Sequence, residues 1–190
     1  MNNQDLNTIL DNIWNHLSQS TDDLAHPWRL PALSSQGLNG PTVRTVVLRS
    51  SDQQKRLITS HTDVRSTKIP SFRKDSRTSW LFYNPITKEQ VRANGRAIIQ
   101  HNNQLTRLAW AKTPLENQYN YATLLPPGSK IENLTPEQKD ATNSPDPYLN
   151  FAIIECNITE IDWLQLSSNG HRRALFNWNG DTWYKNWITP

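Results

Sequence analysis

Leu6, Ile9, Leu10, Ile13 and Leu17 recur at i, i+3, i+4, i+7 and i+11, with Asn and Asp on the opposite side. That spacing is one face of a helix, so residues 1–27 are expected to form an N-terminal helix and lead-in that cover a core. No catalytic residue type sits on the apolar side. His26 to Pro41 holds three prolines and the breaker Asn39-Gly40-Pro41, and reads as loop. The period then changes. Thr42–Arg49 (TVRTVVLR) and Arg56–Ser60 (RLITS) predict two strands joined by the polar turn 50–55, and Ser79–Tyr83 (SWLFY) and Gln90–Gln100 a third and fourth. Between the second and third, Arg65–Asp75 predicts a short helix, with Ser66 as its cap and Pro70 leaving only the first turn secure. Residues 104–124 read as helix with a break at Pro114. Pro126–Pro147 carries five prolines and reads as a long surface loop. Phe151–Leu166, Arg172–Trp178 and Trp183–Ile188 predict three further strands.

Four of the six glycines follow asparagine, at 39–40, 94–95, 169–170 and 179–180. Asn-Gly favours tight turns because both residues accept positive φ. The last two pairs predict a three-strand meander at the C-terminus. Asn94-Gly95 lies inside one apolar run, where a bulge and a turn are equally open. Seven short strands flanked by helices predict an α+β, mainly β, antiparallel barrel, with residues 1–190 forming one domain.

Composition sharpens this. The apolar share is 35%, lean against the roughly 45–50% of an ordinary globular chain. The polarity comes from 20 Asn and 11 Gln more than from charge, and the net charge is only +3, unlike disordered chains. Eight tryptophans point to an aromatic-rich core. So lean a core implies help from a subunit interface or a bound cofactor. No run of 18 apolar residues predicts a membrane span. The opening MNNQDLNTILDN lacks the basic and apolar regions of a signal peptide. Cys156 is the sole cysteine; within FAIIECNI it reads as a buried, inert thiol, and a chain without internal disulfides fits the cytoplasm.

The charge is uneven: residues 1–42 carry −3, residues 43–112 carry +10, and residues 113–190 carry −4. A basic middle calls for an anionic partner, be it a phosphate ligand, a nucleic acid or an acidic protein face. No GxGxxG, GxxxxGK[ST] or GxSxG occurs, and the five histidines and one cysteine form no metal-ligand set. Nor does an RNP-like or helix-turn-helix pattern appear, which argues against nucleic acid. The informative stretch is RTVVLR followed by SHTDVRSTK. On a flat strand Arg44 and Arg49 fall on opposite faces, so they serve different parts of a ligand. Thr62, Arg65, Ser66 and Lys68 gather hydroxyls and cations around a helix start, the donor set a dianionic phosphate needs.

Four segments, PTVRTVVLRS, TSHTDVRSTK, SWLFYNPITKEQVRANG and IDWLQLSSNGHRRALFNW, in that order and spacing, resemble the pyridoxamine 5′-phosphate oxidase family, the FMN-binding split barrels. The likeness runs from about Trp28 to Pro190. The block from Trp80-Leu81-Phe82 through Lys88-Glu89-Gln90 is similar to a bacterial and plant subgroup of oxidase-like proteins. The resemblance implies an FMN-binding split β-barrel flanked by helices, and a homodimer with FMN at the subunit interface. It also implies a flavin-dependent oxidoreductase that takes a hydride from a small molecule onto the flavin N5. By the same resemblance, Arg44, Thr45, Val46, Val47, Leu48 and Arg49 run along the cofactor, with Arg44 toward its phosphate or ribityl chain. His61 and Thr62 stand for the family's aromatic-Thr pair. Lys68 is the phosphate lysine; Thr67 replaces an arginine whose charge Arg65 supplies, with Ser66 between them. Gln90 hydrogen-bonds the flavin ring, and Trp163 and Arg173 complete the site from the second subunit.

Two departures concern the substrate. The family's Tyr, Arg and Ser at four-residue spacing, which grip the substrate phosphate, have no counterpart series in Leu105–Gln118; Trp110 and Lys112 are the nearest candidates. The Arg-x-His clasp reads Asn169-Gly170-His171, with only His171 kept. The expected substrate is therefore a small molecule other than the B6 phosphates. The competing reading is a non-catalytic FMN or tetrapyrrole-binding module on the same barrel.

Overall fold

The computed structural model describes residues 5–37, 39–131 and 146–190. Along the chain come α1 (Leu6–Asp22), β1 (Ala32–Gly37), β2 (Gly40–Thr45), β3 (Ser50–Asp52), β4 (Leu57–Asp63), α2 (Lys68–Lys74), β5 (Arg77–Asn84) and β6 (Glu89–His101). Then follow α3 (Gln104–Lys112), α4 (Leu115–Gln118), β7 (Phe151–Gln165), β8 (Arg172–Trp178) and β9 (Trp183–Ile188). The apolar stripe of α1 is buried, as its period requires, and packs on a core that includes Trp28, Trp80, Phe82 and Trp163.

All nine strands join one antiparallel sheet in the order β2-β1-β5-β6-β7-β4-β3, with β8 and β9 added beside β7. The sheet curls without closing, a split barrel. β7 is its spine. Its first half pairs with β4, from Leu57↔Asn157 to Asp63↔Phe151, and its second half with β8, from Glu160↔Asn177 to Gln165↔Arg172. The register against β6 slips at Asn94/Gly95, so this pair makes a bulge and not a turn. A Cβ on Gly95 would lie 2.1 Å from the carbonyl oxygen of Asn157, which is why only glycine fits.

The strands differ from the sequence reading in three places. Ala32–Gly37 is a strand, not loop. Its polar letters hide an alternation in which Leu33 and Ser35 turn inward and are buried. The expected strand 42–49 ends at Thr45. Beyond it, the Val46 and Leu48 amides donate to Pro31 and Arg29, and the Arg49 amide crosses over to Thr59. Ser50–Asp52 then forms β3 where a turn was expected.

α2 starts at Lys68 with Thr67 as its N-cap; Ser66 does not cap it, because its hydroxyl accepts from Lys68. Pro70 is tolerated since first-turn amides have no intrahelical acceptor. α3 is fixed by a reciprocal capping box between Asn103 and Thr106, and the chain breaks at Pro114 as expected. Most of the expected loop 126–147, namely 132–145, lies outside the described residues. Both C-terminal hairpins form, with Gly170 and Gly180 at φ 108° and 112°. Among the described residues, no helix is long and apolar enough to cross a membrane.

Candidate functional site

The first group of expected residues converges on a cavity of about 280 Å³ between the β1–β2 hairpin and the start of α2. Arg44 and Lys68 line it together with Gly37, Thr42, Thr67 and Ser71, and among the described residues no carboxylate does. The Lys68 ammonium donates to Ser66 at 2.6 Å and to Thr62 at 3.0 Å. Arg44 is steadied by the Leu33 carbonyl at 3.2 Å and by the Ser35 and Thr42 hydroxyls at 2.9 and 2.6 Å. These contacts use one ammonium hydrogen fewer than Lys68 has, and leave the Nε–H and one Nη2 hydrogen of Arg44 over. Burial, and then the nearby Arg44, push the Lys68 pKa below the ordinary lysine value; burial does the same to Arg44. Asp63 offsets part of this at Lys68, and an anion in the cavity would offset more.

Arg65 takes a different job. Its guanidinium grips Asp63 through Nε and Nη2 and donates to the carbonyls of Thr123 and Leu124 and the Thr123 hydroxyl. All five of its N–H groups are engaged, so it ties the 123–124 segment to the end of β4 and has no donor left for a phosphate. Contrary to the expectation for Arg65, the cations on this cavity are Arg44 and Lys68.

A second cavity, of about 520 Å³, opens on the other side of the Arg44–Arg49 segment. Arg49 and His61 line it with Arg29, Lys112 and Glu155. Arg44 and Arg49 therefore face different chambers, although the strand ends between them at Thr45. Between them Thr45 is exposed, Val46 and Val47 are half-buried, and Leu48 points into the core. The Nε of Arg49 is buried and has no hydrogen-bond partner among the described residues. Burial first, and Arg49 second, push the His61 pKa down to about 4, so this imidazole is neutral near pH 7. Its ring meets Phe151 edge-on at 4.7 Å. Trp110 packs instead in the aromatic cluster of Tyr121, Tyr148 and Phe151.

Sequence reasoning missed Arg29. It donates to the last-turn carbonyls Ser20 and Thr21 of α1 and to Leu48, and so joins α1 to the segment that carries Arg49. Its one signal was being the sole cation of residues 1–42.

The remaining expected residues lie elsewhere. Gln90, Leu164 and Arg173 form one register row across β6, β7 and β8. That row is on the sheet face away from α1, because the neighbouring Val91, Trp163 and Ala174 point inward and are buried. Trp163 therefore does not share a face with Gln90 and Arg173. Its indole donates to Glu89 at 3.2 Å within the core. Arg173 is folded onto Asp162, which Arg92 also grips. His171 is exposed, and its Nδ1 accepts from the Ser167 amide at 3.1 Å. His61 and Gln90 lie far apart on one chain, opposite Ile153 and Leu164, whereas Arg44 falls in register with Leu33, Trp80 and Ala93, three residues along β6 from Gln90. The eleven steps along β7 between the His61 and Gln90 rows span roughly 35 Å at ~3.3 Å per residue, before any bending.

Comparison with known proteins agrees with this architecture. Residues 9–101 match the family described as pyridoxamine 5′-phosphate oxidase, FMN-binding domain. A curated relative, pyridoxine/pyridoxamine 5′-phosphate oxidase 2 of Arabidopsis thaliana, is 29% identical over 153 residues, covering 76% of each chain. A pyridoxamine 5′-phosphate oxidase-related, FMN-binding protein of Nostoc punctiforme superimposes with a TM-score of 0.77 at 22% identity, over 95% of this chain and 96% of that one. PhzG of Burkholderia lata, solved with tetrahydrophenazine-1-carboxylic acid, gives 0.72 at 19% identity, over 100% and 95%. The chain is thus similar over residues 9–101 to the FMN-binding domain of the pyridoxamine 5′-phosphate oxidases, and it shares the split-barrel fold of the FMN-binding neighbour. FMN is the cofactor these matches indicate. The residues present fit the group: Arg44 and Lys68 line one cavity, and Asp63 offsets only part of their charge at Lys68.

Proposed function

We propose that this protein is an FMN-dependent oxidoreductase for a small anionic molecule, built as a homodimer with one flavin in each of two interfacial sites. The observation that carries the reading is the Arg44–Lys68 pair, two half-buried cations on a cavity that no carboxylate among the described residues lines. In this reading Arg44, Lys68, Thr62 and Ser66 hold the FMN phosphate by charge-assisted hydrogen bonds. The Thr45–Leu48 backbone runs beside the ribityl chain. In the same reading Gln90 and Arg173, which lie on the sheet face opposite the buried Leu33–Trp80–Ala93 row that ends in Arg44, reach the flavin of the partner subunit, where they meet the ring.

When bound, FMN supplies two-electron redox chemistry, and the chain's residues bind, orient and shield. The cavity lined by Arg49, His61, Arg29 and Lys112 supports a substrate chamber. Its three cations outnumber its two carboxylates, Asp22 and Glu155, and this net positive lining favours an anionic substrate, while the neutral His61 offers one hydrogen-bond donor and one acceptor. No dedicated general base is needed for hydride transfer to a flavin. The visible spectrum of the purified protein, read again after denaturation, tests the core of the proposal. Absorption bands of released FMN, or stoichiometric uptake of added FMN, are expected. A colourless protein that takes up no FMN would overturn it, and a protein that binds FMN but reduces it with no substrate would favour a carrier.

A further inference from the structure

Asp162 is a buried carboxylate, 5% exposed, on the sheet face that carries Gln90 and Arg173. It lies opposite Arg92 on β6, two register rows from Gln90↔Leu164↔Arg173 and so on the same face. The Arg173 guanidinium donates Nε to Oδ1 at 3.0 Å and Nη2 to Oδ2 at 2.8 Å, a two-point grip, while Arg92 closes on Oδ2 from the other side. Burial pushes the Asp162 pKa up, but the hydrogen bonds from Arg173 and Arg92 outweigh it and hold the group below the usual carboxylate range. The carboxylate stays ionised, and the cluster of one anion and two cations keeps a net positive charge.

A two-point grip fixes the plane of a guanidinium as well as its position. Gripped by Nε and one Nη2 hydrogen, Arg173 keeps its Nη1 edge directed away from Asp162. A free arginine samples many rotamers, and an anchored one is already oriented before a ligand arrives. Nothing in the core calls for this cluster. It sits on the outward face, next to Gln90, where a buried carboxylate costs desolvation unless it organises its neighbours.

We propose that Asp162 is a positioning residue for the flavin: it locks Arg173, with Arg92 as a second arm, so that the Nη1 edge of Arg173 meets the isoalloxazine of the partner subunit's FMN. This rests on the reading of Gln90 and Arg173 as the second half of the FMN site. Asp162 also sets the charge beside the ring, because it cancels one of the two guanidinium charges. Arg173 and Asp162 then have opposite effects on the flavin's potential.

The test is FMN titration and redox potentiometry of the dimeric protein and of Arg173→Ala, Asp162→Asn and the double variant. Expected are a rise in FMN Kd of about tenfold for each single variant, and a double variant no worse than Arg173→Ala, since Asp162 acts through Arg173. At saturating FMN, Asp162→Asn should raise the midpoint potential and Arg173→Ala lower it; a merely structural role moves neither. If Asp162→Asn fails to fold, Arg92→Gln, at a half-exposed side chain, removes one arm and should weaken FMN by a few-fold with the dimer intact. Unchanged Kd and potential in Asp162→Asn or Arg92→Gln, while Arg173→Ala weakens binding, would overturn the positioning role alone. An Arg173→Ala that binds FMN as the parent does would overturn the half-site reading beneath it.

Discussion

Lys68 stands in the field of Arg44 with no carboxylate among the described residues lining the cavity they share, and its ammonium is held in place by Thr62 and Ser66. An anion that enters gains two desolvated partners, each worth roughly 1.5–3 kcal/mol. Lys68→Ala or Arg44→Ala should therefore raise the FMN Kd by about tenfold or more, with the fold intact. Flavin fluorescence quenching measures it. FMN should also raise the melting temperature of the parent far more than that of either variant. Equal affinity in Lys68→Ala would mean that the phosphate binds elsewhere.

Much of this site was legible in the chain because its residues are neighbours in sequence. The 44–49 and 61–68 segments carry both the strand pattern and the donors, and a phosphate site needs little beyond that. What escaped were features made by the register of distant strands. Arg65 looked like a spare phosphate cation until β4 and the 123–124 segment used up its donors. Trp163 and Arg173, ten residues apart, read as partners, yet strand parity sends one into the core and the other outward. Strand β1 was missed because ALSSQG has no β-branched residue, and its place in the sheet comes from its pairing with β2 and β5.

His61 gives a pH prediction. Its pKa in the folded state, pushed down to about 4 by burial and Arg49, is below the roughly 6.5 of an unfolded histidine. The unfolded chain thus binds the proton more readily. Stability from this group is complete above about pH 6.5 and is lost as pH falls toward about 4, with a limiting slope of about 1.4 kcal/mol per pH unit. His61→Phe should flatten the acid limb of a urea-denaturation series between pH 6.5 and 4. His26, also pushed down by burial and by His16, leaves part of the slope in place. An unchanged slope would show that His61 is solvated.

The bulge predicts a large stability effect at one small residue. A methyl group at Gly95 meets the Asn157 carbonyl at 2.1 Å, and backbone cannot rotate away as a side chain can. Gly95→Ala should cost about 3 kcal/mol by forcing β6 and β7 apart, read as a shift in the urea midpoint. A neutral substitution would mean that the bulge relaxes freely.

Substrate choice follows from α3. Leu105, Ala109 and Thr113, at four-residue spacing, all line the 520 Å³ chamber. They occupy the kind of series in which the resemblance to the oxidases expects Tyr, Arg and Ser. One hydroxyl remains and the cation is gone; Lys112 beside them and Arg49 opposite offer only partial replacement. Two lost charge-assisted bonds weaken binding on the order of a hundredfold or more. With FMN-loaded protein, kcat/KM for pyridoxine and pyridoxamine 5′-phosphates should fall below about 10⁴ M⁻¹s⁻¹. A higher value in steady-state assays would show that Arg29, Arg49 and Lys112 hold the phosphate by themselves.

The reading of Gln90 and Arg173 as contacts to the partner's flavin makes a prediction that only a shared site satisfies. If each flavin takes its phosphate contacts from one subunit and its ring contacts from the other, Lys68→Ala and Arg173→Ala damage opposite halves of every site. Each homodimer then has two damaged sites. A heterodimer of the two variants has one site that combines the intact Arg44–Lys68 half of one chain with the intact Gln90–Arg173 half of the other; its second site is damaged twice. Random exchange makes half of the dimers mixed, so about one site in four regains parental affinity. The measurement is FMN titration of the two variants before and after co-refolding, with the dimer followed by sedimentation. Recovery of a tight-binding fraction near that size is expected only from a symmetric dimer with interfacial sites. No recovery, or a monomer that binds FMN at micromolar concentration, would place the whole cofactor site within one chain, and Gln90 and Arg173 would need another role.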